Sequence, residues 1–264
     1  MTWLKTSIDL FLLNSRANTQ RLLQYRTDFA VGVAITFFFT LLSPLLQYLL
    51  YTRSNGYPGW TWSQILLLQA ILLLVGGLRD IFFGDVSKHI QNLMAKGELD
   101  QVLLKPFPPL LFVLTSSFSP FSVVTVVVGS GAVVWAYGRS GAPVGPMPVM
   151  SFVVFLLAGL TLYLTESVLF CALTVRWTYP LRLRETLQKI IRFGDPPMEV
   201  YPPVVRAALS TVLPLAVATY WPAQALLGRL TVVAWISLAC TVLLLIGAVR
   251  LWNRQLNQYS SAGG

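Results

Sequence analysis

Long apolar stretches dominate the chain, and charge is largely confined to the pieces between them. Six stretches reach the roughly 20 helical residues needed to cross about 30 Å of hydrocarbon. They run approximately from Phe29 to Leu50, Trp62 to Phe83, Leu110 to Tyr137, Val149 to Val175, Val204 to Leu227 and Leu230 to Leu251. The runs are continuous rather than alternating and are far longer than a barrel strand, so each reads as a helix. An unpaired peptide group in hydrocarbon costs several kcal/mol, which leaves the helix as the economical way through. The expected class is all-α: a polytopic membrane protein with six transmembrane helices in a single membrane domain over residues 28–264.

The pieces outside these stretches carry patterns of their own. Residues 1–27 set Leu4, Ile8, Phe11 and Leu12 at helical spacing beside Lys5, Asp9 and Arg16, the pattern of an amphipathic helix at the inner interface. The loop 84–106 is polar with helical periodicity (Ile90, Leu93, Met94), is broken at Gly97, and has room for a second short helix before Pro106. Residues 176–203 are strongly basic and then Pro-rich. The fifth stretch, within 204–228, carries Pro214 and Pro222, which remove backbone donors and predict a kink or break. An alternative makes 178–195 a short fifth helix and 204–226 a hairpin dipping in from the outer face. The reading with 204–227 as the fifth span, kinked or broken at its prolines, is favoured, because Arg182, Arg184, Lys189 and Arg192 would be costly within a bilayer. The Ser-Ser-Ala-Gly-Gly end reads as a flexible tail.

Composition narrows the class further. Only 11% of the 264 residues are charged and 55% are hydrophobic. Soluble domains carry about 25% charged residues, so an ordinary soluble enzyme and a disordered chain are both excluded. Lys and Arg number 19 against 10 Asp and Glu, a formal net charge of +9. With the amino terminus inside, only Arg53, Arg139 and Arg229 of those 19 fall in outer loops. This positive-inside bias puts both termini in the cytoplasm. It accounts for the basic charge with membrane lipids as neighbours and no nucleic acid. Tyr57, Trp60, Trp62, Trp135, Tyr137, Tyr220 and Trp221 fall near stretch ends, where interfacial aromatics are expected.

Catalytic and metal signatures are missing. There is no G-x-x-x-x-G-K-[ST] and no H-E-x-x-H, and His89 is the only histidine. No catalytic residue and no metal site are expected. Cys171 and Cys240 read as small buried apolar residues. Gly129–Ser130–Gly131 bears a superficial likeness to a nucleophile motif but lacks its spacing, so close helix packing explains it better. Glu166 is the deepest acid; a carboxylate near mid-span costs about 2.5–3.5 kcal/mol on insertion scales. It reads either as a substrate or proton site facing a cavity, or as a structural carboxylate bonded to Thr, Tyr or Arg of neighbouring helices. Asp28, Asp80 and Asp85 are placed to pair with Arg26, Arg79 or Lys88. Gln69, Asn92, Thr161 and Thr165 are polar groups of the kind that line a path or join helices.

This arrangement, with no engine of its own, resembles the permease subunit of a type-2 ABC exporter. The resemblance sharpens in "KGELDQVLLKPFPPLLFVL" (96–114), similar to one bacterial branch in which a G-x-[LF]-D motif precedes a leucine pair and a basic-Pro element. It sharpens again in "FGDPPMEVYPPVVRAALSTVLPLAVATYWPAQALLG" (193–228), where Pro197, Tyr201, Pro202, Pro214, Pro222 and Ala223 keep that branch's late pattern and Pro196 departs from it. The resemblance implies a half-transporter in a bacterial inner membrane. A second permease, identical or paralogous, would complete the path, and two P-loop ATPase subunits carrying ATP and Mg would dock below, with no cofactor on this chain. It also implies a coupling helix between the second and third spans, formed by Leu93, Met94, Lys96, Gly97, Glu98, Leu99 and Asp100. Glu166, Gln69, Thr161 and Thr165 are then the expected substrate path, with a lipid, hydrophobic drug or peptide as cargo. Two other readings stand beside this one. An ion-coupled transporter using Glu166 would predict a repeat between 1–137 and 138–264, and none is evident. A membrane-embedded lipid-modifying enzyme would need clustered His, Asp or Arg groups, and there is one histidine.

Overall fold

The computed structural model describes residues 16, 20, 26–53, 56–115, 119–177 and 181–259. The interface helix expected over 1–27 lies almost wholly outside them, as does the tail 260–264. Among the described residues every regular element is helical, as the continuous apolar pattern requires. Five helices are long: α1 (Arg26–Arg53), α2 (Trp62–Phe83), α6 (Ser122–Arg139), α7 (Pro146–Trp177) and α11 (Val232–Asn257). Four helical stretches are long and apolar enough to cross a membrane, namely Trp62–Ala95, Ser122–Arg139, Pro146–Trp177 and Val232–Asn257. The first of these runs through the turn at Gly84 and Asp85 into α3 (Val86–Ala95). Helix α1, with 28 residues, is about 42 Å long at 1.5 Å per residue.

Helices α2 and α6 form the tightest seam. A Cβ on Gly129 would lie 2.7 Å from the backbone N of Leu74, and one on Gly77 would lie 3.0 Å from that of Val126. Helix association in lipid relies on such close backbone approach, because apolar side chains gain nothing by leaving lipid for protein. The small-residue reading of Gly129 is therefore what the packing shows. Helix α7 packs along α11, and Phe155 of α7 meets Trp235 of α11 with ring centroids 5.4 Å apart.

The third apolar stretch differs from expectation. It is not one helix from Leu110 to Tyr137: non-helical backbone at Ser119, Pro120 and Phe121 separates α5 (Pro109–Thr115) from α6, which starts at Ser122. Pro120 has no N–H to give and biases Ser119 away from helical geometry, so the chain turns there. Helix α5 instead packs on α3 and on α4 (Leu99–Leu103).

The fifth stretch also departs from the favoured reading. Val204–Leu227 forms two short helices, α9 (Pro203–Ser210) and α10 (Tyr220–Leu226), with a 3₁₀ turn at Leu215–Val217 between them. Both ends of this hairpin lie at the Trp60 end of α2. At one end Arg206 Nη2 donates to the carbonyls of Glu199 and Tyr201, both at 3.4 Å, and Glu199 itself is bonded to Trp60. At the other, Arg229 Nη1 donates to Gln64 Oε1 at 3.5 Å. The tip is buried deeper: Thr219 Oγ1 donates to the Gly194 carbonyl at 2.7 Å, and a Cβ on Gly159 of α7 would lie 2.9 Å from the Val217 carbonyl. Pro214 breaks the helix at this tip. The segment that runs the length of α2 is instead α8 (Leu181–Ile191) with the turns that follow it. It passes from Arg184, beside Gly84, to Glu199, beside Trp60. Arg206, counted above among inner residues, thus sits at the end that carries Arg53, Arg139 and Arg229.

Candidate functional site

Two regions gather the residues singled out from the sequence. The first is the hairpin of α3 and α4. Helix α3 closes with Glu98 N–H donating to the Leu93 carbonyl at 2.9 Å and Gly97 N–H donating to the Met94 carbonyl at 3.3 Å. That pair of bonds needs a left-handed residue, and Gly97 supplies it with φ +68°. Lys96 and Gly97 are exposed at the tip, Met94, Glu98 and Asp100 are half-buried, and Leu93 and Leu99 are buried. Leu93 and Leu99 join Val86, Ile90, Val168 and Trp252 in one apolar cluster that keys the hairpin into α7 and α11. Full burial of each such side chain is worth about 1.5–3 kcal/mol. The two leucines therefore pack inward and hold the hairpin in place, while its exposed surface is at Lys96 and Gly97. Leu104, 86% exposed, presents apolar surface beside Lys105, and Lys105 Nζ lies 4.0 Å from the Phe112 ring centroid.

The second region is polar and lies between α2, α7 and α8. Two adjoining cavities, of about 110 and about 250 Å³, share Arg79, Glu166 and Gln188 in their walls. The smaller adds Asp80 and Arg184, the larger Tyr163, Arg192 and Asp195. Arg79 pairs with Asp80 at 2.7 Å and lies 5.3 Å from the centroid of the Tyr163 ring. Lys88 pairs with Asp85 at 3.4 Å. Both pairings follow the sequence expectation; the Arg26 side chain lies outside the described residues, so its pairing with Asp28 does too.

The four expected path residues do not come together. Glu166 faces the polar cavities, whereas Thr161 lines a separate apolar groove between α7 and α11. Thr161 and Thr165 donate to the carbonyls four residues back on their own helix, both at 2.8 Å. Gln69 and Thr165 are buried. Asn92 is exposed on α3.

Three aromatics expected at the interface are interior. Trp60 Nε1–H donates to Glu199 Oε2 at 2.9 Å, and Tyr220 O–H donates to Glu199 Oε1 at 2.6 Å. Trp221 Nε1–H donates to Ser237 Oγ at 2.9 Å, and the Ser237 hydroxyl donates to the Ser210 carbonyl. Glu199 thereby ties the hairpin to the start of α2. Sequence reasoning missed Glu199, Arg184, Gln188, Arg192 and Asp195 because their segment reads as a basic surface loop. The available signal was the helical spacing of Leu183, Leu187 and Ile190.

A family model described as an ABC-2 family transporter protein matches residues 37–263. That covers most of the chain, and the chain belongs to the ABC-2 transporter family. It is a membrane-embedded permease subunit of an ABC transporter, a transport component and not itself a catalyst, and as such associates with ABC ATPase subunits. No curated protein and no solved structure matches the chain.

Proposed function

We propose that this chain is half of the membrane unit of an ATP-driven exporter. Two permeases, identical or paralogous, enclose the path, and two ATPase subunits holding ATP and Mg dock beneath them. Six segments cross a bacterial inner membrane with both termini cytoplasmic: α1, α2, α6, α7, the segment from α8 to Glu199, and α11. The α9–α10 hairpin enters and leaves at the outer face. The exposed tip at Lys96 and Gly97, with Met94, Glu98 and Asp100 on its flanks and Leu104 nearby, meets the ATPase. Glu166 faces the path.

One observation carries this reading: Leu93 and Leu99 share a buried cluster with side chains of α7 and α11. A hairpin locked to two long helices transmits a push from below as a tilt of those helices, whereas a loose loop would absorb it. Co-purification in mild detergent tests the class, and a P-loop ATPase at one copy per permease is expected. Glu98→Arg tests the coupling surface. It is expected to leave membrane insertion intact and to separate ATP hydrolysis from transport; normal coupled transport in that variant would refute the assignment.

A further inference from the structure

The charges around the two polar cavities are arranged in an unusual way. Among the described residues, Arg79 and Asp80 form the only ion pair there within 4.0 Å. Glu166 lines both voids, Arg184 the smaller, and Arg192 and Asp195 the larger, and none of the four side chains forms a hydrogen bond or an ion pair within 4.0 Å with another described residue. With Arg79 and Asp80 paired, Glu166 is attracted to Arg79 and Arg184 and Asp195 to Arg192, yet none of these attractions closes into a contact. Glu166 lies 11 residues from the end of α7 at Trp177, so it is about 17 Å from that end and within the apolar stretch. An acid at the depth of Glu166 without a contact partner is expensive, and a structural network would close on itself to avoid the cost. This one stays open.

We infer that the larger of these cavities binds a zwitterion carrying a phosphate and an ammonium group, with the phosphate at Arg192 and the ammonium at Glu166 and Asp195. Guanidinium groups match phosphate oxygens with paired N–H donors, and carboxylates accept from each ammonium N–H. A simple anion would satisfy the arginine but crowd the carboxylates with like charge, and a simple cation would do the reverse. A volume of about 250 Å³ suits a headgroup-sized fragment; pockets for drug-sized ligands run about 300–1,000 Å³. The site lies toward the Phe83 and Trp177 ends of α2 and α7, the side that the positive-inside bias assigns to the cytoplasm, so the ligand enters from there. The inference rests on the proposed permease reading, in which Glu166 faces the path, and names its cargo class.

Two sources share this chemistry: the headgroup of a zwitterionic phospholipid, and a soluble phosphoamine. The test is calorimetric titration of the purified full-length chain, with any ATPase that accompanies it, in nonionic detergent. The probes are dihexanoyl phosphatidylethanolamine, dihexanoyl phosphatidylglycerol and glycerophosphoethanolamine. The ethanolamine lipid is expected to bind about tenfold tighter than the glycerol lipid or better. Glu166→Gln is expected to remove that preference by weakening the ethanolamine lipid and tightening the glycerol lipid, and Arg192→Gln to weaken both lipids. Glycerophosphoethanolamine binding as tightly as the lipid assigns a soluble source; binding that needs acyl chains assigns the headgroup. Equal affinity for the two lipids, or no binding of either, overturns the inference. Should Glu166→Gln aggregate, the lipid comparison on the unaltered chain decides alone. A co-purified ATPase without zwitterion preference leaves the exporter reading standing and sinks only this one, and zwitterion binding without an ATPase does the opposite.

Discussion

Gly129→Ala is a small change with a large predicted consequence. The added methyl would lie 2.7 Å from Leu74 N and 2.9 Å from Leu74 Cα, both backbone atoms of α2. A side chain at that spot could rotate away, but a helix backbone cannot. Helix α6 must therefore back off along the whole seam, which also loosens the contact of Gly77 with Val126. Overpacking of this kind costs about 1–3 kcal/mol. Against it stands the helix preference of Ala over Gly, about 0.5–1 kcal/mol. The balance is a net loss of about 1–2 kcal/mol, or roughly 2–8 °C in melting temperature for a chain of this size. Gly131, two residues on, is the control, because nothing lies within 4 Å of its Cβ position. Gly131→Ala keeps only the helix gain, so its melting temperature should hold or rise. Thermal size-exclusion measurements in detergent read both variants. Equal shifts in the same direction would refute the seam argument.

Further outcomes follow from the same geometry. Leu99→Asp, at a fully buried position, should abolish accumulation of folded protein, while Leu104→Asp, 86% exposed, should leave it monodisperse and impair coupling of ATP hydrolysis to transport. Equal behaviour of the pair would show that the hairpin is not keyed into the core as described. Glu199→Leu strands the Trp60 and Tyr220 donors at about 1–3 kcal/mol each. Glu199→Gln keeps one acceptor and should lose less, and a melting series of the two variants checks the order. Thr219→Val removes the 2.7 Å bond to the Gly194 carbonyl, so amide exchange should speed up in the α9–α10 hairpin before it does in α7. Unchanged exchange would mean that bond does not hold the tip.

The sequence by itself determined the class of this protein and much of its plan. A continuous apolar run has one way to satisfy its backbone in lipid, so all-helical architecture followed from composition and length. Gly97 marked the turn of the α3–α4 hairpin because the closing bonds of α3 demand a left-handed residue there. Lys88 with Asp85 was legible because residues three apart meet on one turn of helix, and Arg79 with Asp80 because adjacent long and short charged side chains are tethered within reach of each other. Tertiary structure alone decided which side chains face one another. Leu93, Leu99, Trp60, Tyr220 and Trp221 look like surface or interface residues in one dimension and are interior in three. The fifth crossing proposed above shows why. Read alone, Arg184 and Arg192 make the segment around α8 too costly to enter a bilayer, and the more apolar 204–227 looks the better span. Folding sets Glu166 of α7 and Asp195 across the same cavities, and the cost of a charge depends on what faces it. Burial of a polar group is priced by its partners, and those partners lie on helices far away in the chain.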